Sequence, residues 1–142
     1  LDKGFMRLID ADEAAKLYLD GVAVLRRAAA SLPEGARRTR AGKIAGLGEF
    51  MGRTCFTASN VKRATKLEDV VLSETATAAE KTAAKAKIYA IAREEYANSR
   101  AALPCLEADS RLGWEPTMGY VGGVEQMCWK LERMRRLYGD KL

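Results

Sequence analysis

Glu107, Asp109 and Arg111 alternate along one short run, and Trp114, Glu115 and Tyr120 follow close behind. Alternate residues of an extended segment point the same way, so two carboxylates and a guanidinium would share a face beside the flat apolar ring of Trp114. Carboxylates, an arginine and an aromatic platform are what a sugar-binding surface uses, and two carboxylates are the minimum for glycoside hydrolysis. These six residues form the candidate ligand-contacting set. A second arrangement satisfies them internally: Arg111 pairs with Asp109 or a helix end, and Trp114 plugs the core. Pairs of acids are common and their geometry is not visible in spacing, so no catalytic residue is assigned.

The chain has no histidine, which removes the commonest general base, the commonest metal ligand and every Ser-His or Cys-His nucleophile pair. Cys55, Cys105 and Cys128 are odd in number, widely spaced and free of any C-x-x-C pair, so neither a disulfide framework nor a zinc site is expected. They read as buried free thiols, a usage that leans towards a reducing, cytoplasmic compartment. No metal or cofactor is implied.

Basic residues gather at Arg37, Arg38, Arg40 and Lys43, at Lys62, Arg63 and Lys66, and at Arg133, Arg135, Arg136 and Lys141. Such groups can neutralise phosphates with salt-sensitive affinity. Acidic residues are interspersed and no nucleic-acid motif accompanies them, so solvated helix faces are the expectation and nucleic-acid binding ranks third among the functions.

What must position these residues is a helical frame. At 142 residues, 48% apolar and 30% charged, the chain suits one domain with a single core, and its uncharged stretches are too short to cross a bilayer. Leu1 stands where an initiator Met would, and Phe5, Met6, Leu8 and Ile9 place apolar side chains at the start, so the chain reads as a fragment of a larger protein.

A first helix is expected from Asp10, capped with Glu13 in a capping box, with Ala14, Leu17, Tyr18, Gly21, Leu25, Ala28 and Leu32 on its buried face, ending at Pro33-Glu34-Gly35. A second runs from Ala36 to about Thr65 with Ile44, Leu47, Met51, Cys55 and Ala58 inward. Its Gly42, Gly46, Gly48 and Gly52 each cost about 1 kcal/mol, to be offset by close helix contact rather than by a phosphate loop. Leu67, Val70, Val71 and Leu72 fall in a connection that tucks under the bundle ends. A third helix starts near Thr77, with Glu80 completing a capping box, carries Ile88, Ile91, Ala92, Tyr96 and Leu103 inward, and stops at Pro104.

Residues 104–122 show no periodicity, and a loop of that length is often functional. The last helix, from about Gly123 to Tyr138, presents Val124, Met127, Cys128, Leu131, Met134 and Tyr138 on one face, and Trp129 and the methionines are expected in the core. The fold class is therefore all-α: an antiparallel up-down bundle of three long helices plus a shorter C-terminal helix that closes or caps the groove between them.

The run Leu103-Pro104-Cys105-Leu106-Glu107-Ala108-Asp109-Ser110-Arg111-Leu112-Gly113-Trp114-Glu115-Pro116-Thr117-Met118-Gly119-Tyr120, leading to Glu125-Gln126-Met127-Cys128-Trp129-Lys130-Leu131, resembles the helical C-terminal region of large bacterial glycoside-hydrolase-like proteins of the α-glucuronidase or β-hexosaminidase type. The resemblance covers about residues 103–131. It implies a preceding catalytic barrel that carries the catalytic carboxylates, and no family residue maps onto the loop here.

Three functions follow as expectations. The first is a helical accessory domain of a bacterial carbohydrate-active enzyme, packed on its catalytic domain or lining its sugar cleft with the 107–120 loop. The second is a free-standing helical protein-interaction module. The third is a nucleic-acid binder.

Overall fold

A computed structural model describes residues 8–115 and 120–142; the side chains of residues 8–10, 114, 115, 120 and 121 are outside that description. The architecture is all-α, with three long helices and a shorter C-terminal one: α1 (Leu8–Ala30), α2 (Ala36–Leu72), α3 (Ala78–Ala108) and α4 (Val124–Tyr138). At 37 residues α2 is about 55 Å long and forms the spine. Helix α1 lies against its N-terminal half and α3 along most of its length, each antiparallel to it, while α4 runs back along α3 and roofs the α2–α3 groove.

The spine begins where Gly35 takes a φ of 143°, a conformation that side chains resist. With neither glycine nor proline between Arg53 and Leu72, nothing halts the helix at Thr65. It continues two further turns, and Leu67 and Val71, expected in a connection, instead line shallow grooves with Ile88, Tyr89 and Ile91 of α3. Helix α3 opens with the expected capping box: the Glu80 amide donates to Thr77 Oγ1 (3.2 Å) and the Thr77 amide to Glu80 Oε2 (2.8 Å).

Pro104 does not end α3. It sits exposed in the last turn, where Cys105 and Leu106, 5% and 2% exposed, bury enough apolar surface to offset the missing amide. The expected loop therefore shrinks. After Ala108 comes a turn, then a two-residue antiparallel ladder pairing Trp114 with Val121 and Glu115 with Tyr120. Gly113, at φ 75°, holds its base: the Gly122 amide donates to the Gly113 carbonyl at 2.7 Å, and any Cβ on Gly113 would collide with the Gly122 carbonyl.

Helix α1 also departs from expectation. It includes Asp10, which is therefore no cap, and its buried line is Ala11, Ala15, Val22 and Ala29. Leu17 and Tyr18 are 66% and 41% exposed. Helix α2 is turned likewise: Ala45 and Gly52 are buried, while Ile44, Leu47 and Met51 face outward. Close approach is the physical reason. A Cβ on Gly52 would lie 2.9 Å from Tyr18 Cβ and 3.2 Å from the Ala15 carbonyl oxygen, and one on Gly48 2.9 Å from Val22 Cγ2. Gly48 and Gly52 thus do serve close helix contact, as expected, whereas Gly42 and Gly46 have open space.

In α4 the expected face holds for Leu131, buried, and for Val124, Met127, Met134 and Tyr138, half-buried, with Tyr138 edge-on to Tyr89 at 6.3 Å. Cys128 and Trp129 are exposed, the indole at 65%. Cys128 sits at the edge of the line that meets α3, and Trp129 lies on the opposite side of the helix. Of the cysteines only Cys105 is buried. Phe5 and Met6, and the side chains of Leu8 and Ile9, lie outside the described residues.

Candidate functional site

Of the six sequence-derived site residues, the structure brings Asp109 and Arg111 together and leaves Glu107 on a helix apart from their turn. Glu107 is helical and exposed in the last turn of α3. Asp109 is the residue that caps the helix, its amide bonded to the Cys105 carbonyl (3.1 Å). Arg111 folds back on it in the turn, donating from Nε (2.8 Å) and a terminal nitrogen (2.6 Å) to the two carboxylate oxygens. That bidentate grip holds the Asp109 carboxyl down at about 2. The alternation expected of an extended run is absent, because Glu107 belongs to a helix and the next two residues to its cap and turn. Of the two readings of this pair, mutual satisfaction is the one present. Trp114, Glu115 and Tyr120 enter the two-residue ladder by their backbones, and their side chains lie outside the described residues.

A denser constellation lies where α2, α3 and α4 meet. Glu95 is 7% exposed, and its carboxylate accepts from Asn60 Nδ2 (2.7 Å), the Thr57 hydroxyl (2.8 Å), the Ser99 hydroxyl (3.1 Å) and the Lys130 ammonium of α4. Burial pushes this carboxyl up, but Lys130, Asn60 and Thr57 outweigh it and hold it below its ordinary value. Asn98 donates to the Arg53 carbonyl (3.0 Å) and the Thr57 hydroxyl (3.1 Å). Arg53 in turn grips Glu49 (2.6 Å), which also takes Arg26 of α1 (2.6 Å).

A cleft of about 140 Å³ opens over this network, walled by Arg53, Thr57, Asn98, Ser99, Gln126 and Lys130. Sequence reasoning passed over it, since Glu95, Asn98 and Ser99 look like an ordinary polar helix face. The available signal was polar residues at Glu95, Asn98 and Ser99 falling three, four or seven positions on from Ile91 and Ala92, on the inward lines of α3. Chemically the network is closed on itself: Glu95 and Lys130 neutralise each other, and so do Glu49 and Arg53. Burial, and then Glu49 beside it, pushes the Cys105 thiol up and disfavours its thiolate.

The third feature is an apolar face on the α1–α2 hairpin. Leu17, Tyr18, Val24, Ile44, Leu47 and Met51, between 41% and 66% exposed, are six of the ten large apolar side chains left exposed among the described residues. Leu25 and Ile44 line one groove at the turn end of the hairpin, while on the side towards α3 Asp12, Ala15, Leu19 and Asp20 share a groove with Phe56 and Glu94. At the hairpin turn this face runs into Arg37 and Arg40.

The other basic groups are largely tied to neighbours: Arg63 to Glu94 (2.9 Å), Arg136 to Glu132, Lys141 to Asp140 (3.1 Å), and Arg135 over the Tyr96 ring. Among the described residues no group of three or more Cys, Asp or Glu could hold a metal ion, and no helix is long and apolar enough to cross a membrane. No family model matches the chain, nor does any curated protein or solved structure.

Proposed function

We propose that this chain is a helical protein-interaction module that docks through the apolar face of α1 and α2. The observation that carries this reading is the inversion of that hairpin: alanine and glycine fill the helix contact, and leucine, isoleucine, valine and methionine are turned outward. Soluble single chains rarely leave a contiguous apolar patch of more than about 300–600 Å² uncovered unless it binds something. Helical faces with anchors spaced by threes, fours and sevens are a common docking surface, and Leu17, Val24, Ile44, Leu47 and Met51 keep that spacing.

The test replaces two half-exposed outward side chains, L47E/M51E, and compares the variant with wild type in photo-crosslinking from Val24. The helical circular dichroism and the unfolding midpoint stay as they are while crosslinking disappears. Equal crosslinking by the two proteins, or none by either, would overturn the reading. The carbohydrate accessory role keeps the resemblance of residues 103–131 as its support, without an aligned acidic face from Glu107, Asp109 and Arg111. Its own test is oligosaccharide titration of Trp114→Ala against wild type in the longer parent protein.

A further inference from the structure

Most of the chain's net charge sits at one end of one hairpin. From Arg27 to Lys43 there are five cations and a single acid, Glu34, a net +4 out of the +5 carried by the whole chain. All five lie within about 11 Å of the α1–α2 bend along the helix axes, since the bend joins Ala30 to Ala36 and a helix rises about 1.5 Å per residue. Every one of them is exposed. Arg27, Arg37, Arg38 and Arg40 enter no ion pair among the described residues, whereas Arg26 next to them is taken by Glu49. Lys43 is near enough to Asp109 to act on its carboxyl, but Arg111 already grips that group.

Two features separate this tip from an ordinary solvated face. Arg37 and Arg38 stand in the first turn of α2 and Arg40 just after it, and that turn holds no acid. The positive end of the helix dipole repels cations there and favours carboxylates, so their placement works against the stability of the helix. Gathered like charge of this kind does raise the local concentration of a polyanion. In addition, four of the five cations are arginine, whose planar fork pairs with phosphate oxygens through two parallel hydrogen bonds, a geometry lysine lacks.

The residues around the tip select among polyanions. From Leu19 to Glu49 there is no aromatic side chain, so the tip has no platform on which unpaired bases could stack and no ring to anchor it at a bilayer surface. Arginines without rings suit the outside of a duplex, where the phosphates stand in closely spaced rows. Contacts of that kind position a protein on the duplex and read no sequence.

We infer that the α1–α2 turn binds the phosphate backbone of a double-stranded nucleic acid, whatever its sequence, through Arg27, Arg37, Arg38 and Arg40. This contact uses none of the apolar side chains of the docking face and stands apart from the docking reading.

The test titrates the whole chain into a short fluorescent DNA duplex and follows anisotropy over a series of salt concentrations. Four phosphate contacts give a slope of about −3.6 in log affinity against log salt, so affinity falls roughly a hundredfold between about 50 and 200 mM. R37Q/R38Q/R40Q flattens that slope by about two to three. A matched loss of three exposed cations elsewhere, R100Q/R133Q/R136Q, changes it by less than about one. The first variant keeps its helical circular dichroism and its unfolding midpoint does not fall, because the replaced cations opposed the helix dipole. A second duplex of unrelated sequence binds as well as the first.

A chain that leaves the duplex unbound at low salt would sink the inference. So would an equal loss in the two triple variants, which would put the attraction down to charge spread over the whole surface. Capture of the chain by phosphatidylserine vesicles and not by the duplex would overturn it as well, and assign the tip to a membrane surface.

Discussion

Helix α2 meets its two long neighbours by opposite means. Against α1 it uses Ala45, Gly48 and Gly52, so close that a Cβ on Gly52 would press on Tyr18 and the Ala15 carbonyl. Against α3 it uses Asn60, Thr57 and Arg53, bonded to Glu95 and Asn98, and Lys130 of α4 joins the same Glu95 carboxylate. Small-residue contact is non-directional and leaves the larger apolar side chains unused, free to face outward. A buried polar network is directional: sliding α3 by one turn along α2 would strand the Glu95 carboxylate, so the network fixes register at a desolvation cost. One side of the spine therefore specifies the fold and the other carries a surface.

Breaking the polar side should have the largest effect. Glu95→Ala removes a buried acceptor of four donors and leaves Lys130 unpaired, and urea unfolding should show a loss of about 2–4 kcal/mol. A Glu95→Leu/Lys130→Met double variant should recover only the part due to the unpaired Lys130 ammonium, since Asn60, Thr57 and Ser99 still lose their acceptor. The smaller loss belongs to the other contact. Gly52→Ala forces a methyl into Tyr18 and Ala15 and should cost about 1–2 kcal/mol net of its better helix propensity. Gly42→Ala and Gly46→Ala, with open space around them, should each raise the unfolding free energy by up to about 1 kcal/mol.

Acid sharpens the contrast. Glu95 and Glu49 have folded-state carboxyls below the ordinary value of 4.5, so they contribute stability that is complete above that value and lost as pH falls through the depressed folded values. A pH series of unfolding midpoints should fall below about pH 4.5 in wild type and less steeply in Glu95→Gln. Asp109→Ala should have the smallest effect, leaving the midpoint where it was, because Arg111 is solvated and the Asp109 amide still caps α3.

Much of this was legible in the residues. The capping box at Thr77 and Glu80 is local chemistry, completed within four residues, and it appears as expected. The glycines of α2 announced close packing, and two of the four provide it. Which face they packed was not legible. Helical periodicity marks an apolar stripe, and on α1 and α2 the stripes of large side chains are real but outward, while the inward lines are alanine, glycine and valine, which propensity alone does not single out. Pro104 failed as a stop for the same kind of reason: its cost is local, and the burial of Cys105 and Leu106 is not. The shared face of Glu107, Asp109 and Arg111 depended on an extended backbone, where the last turn of α3 and the turn after it stand instead.

By itself the sequence determined that these segments are helices, where Thr77 starts one and Gly35 another, and that no histidine-based chemistry is present, because propensity, capping and composition act within a few residues. Only tertiary structure decided which face of each helix is covered, that Glu95 gathers partners from two other helices, and that Asp109 and Arg111 satisfy each other. Those outcomes depend on the closest approach two backbones can make and on donors brought from distant positions, and neither is written in spacing along the chain.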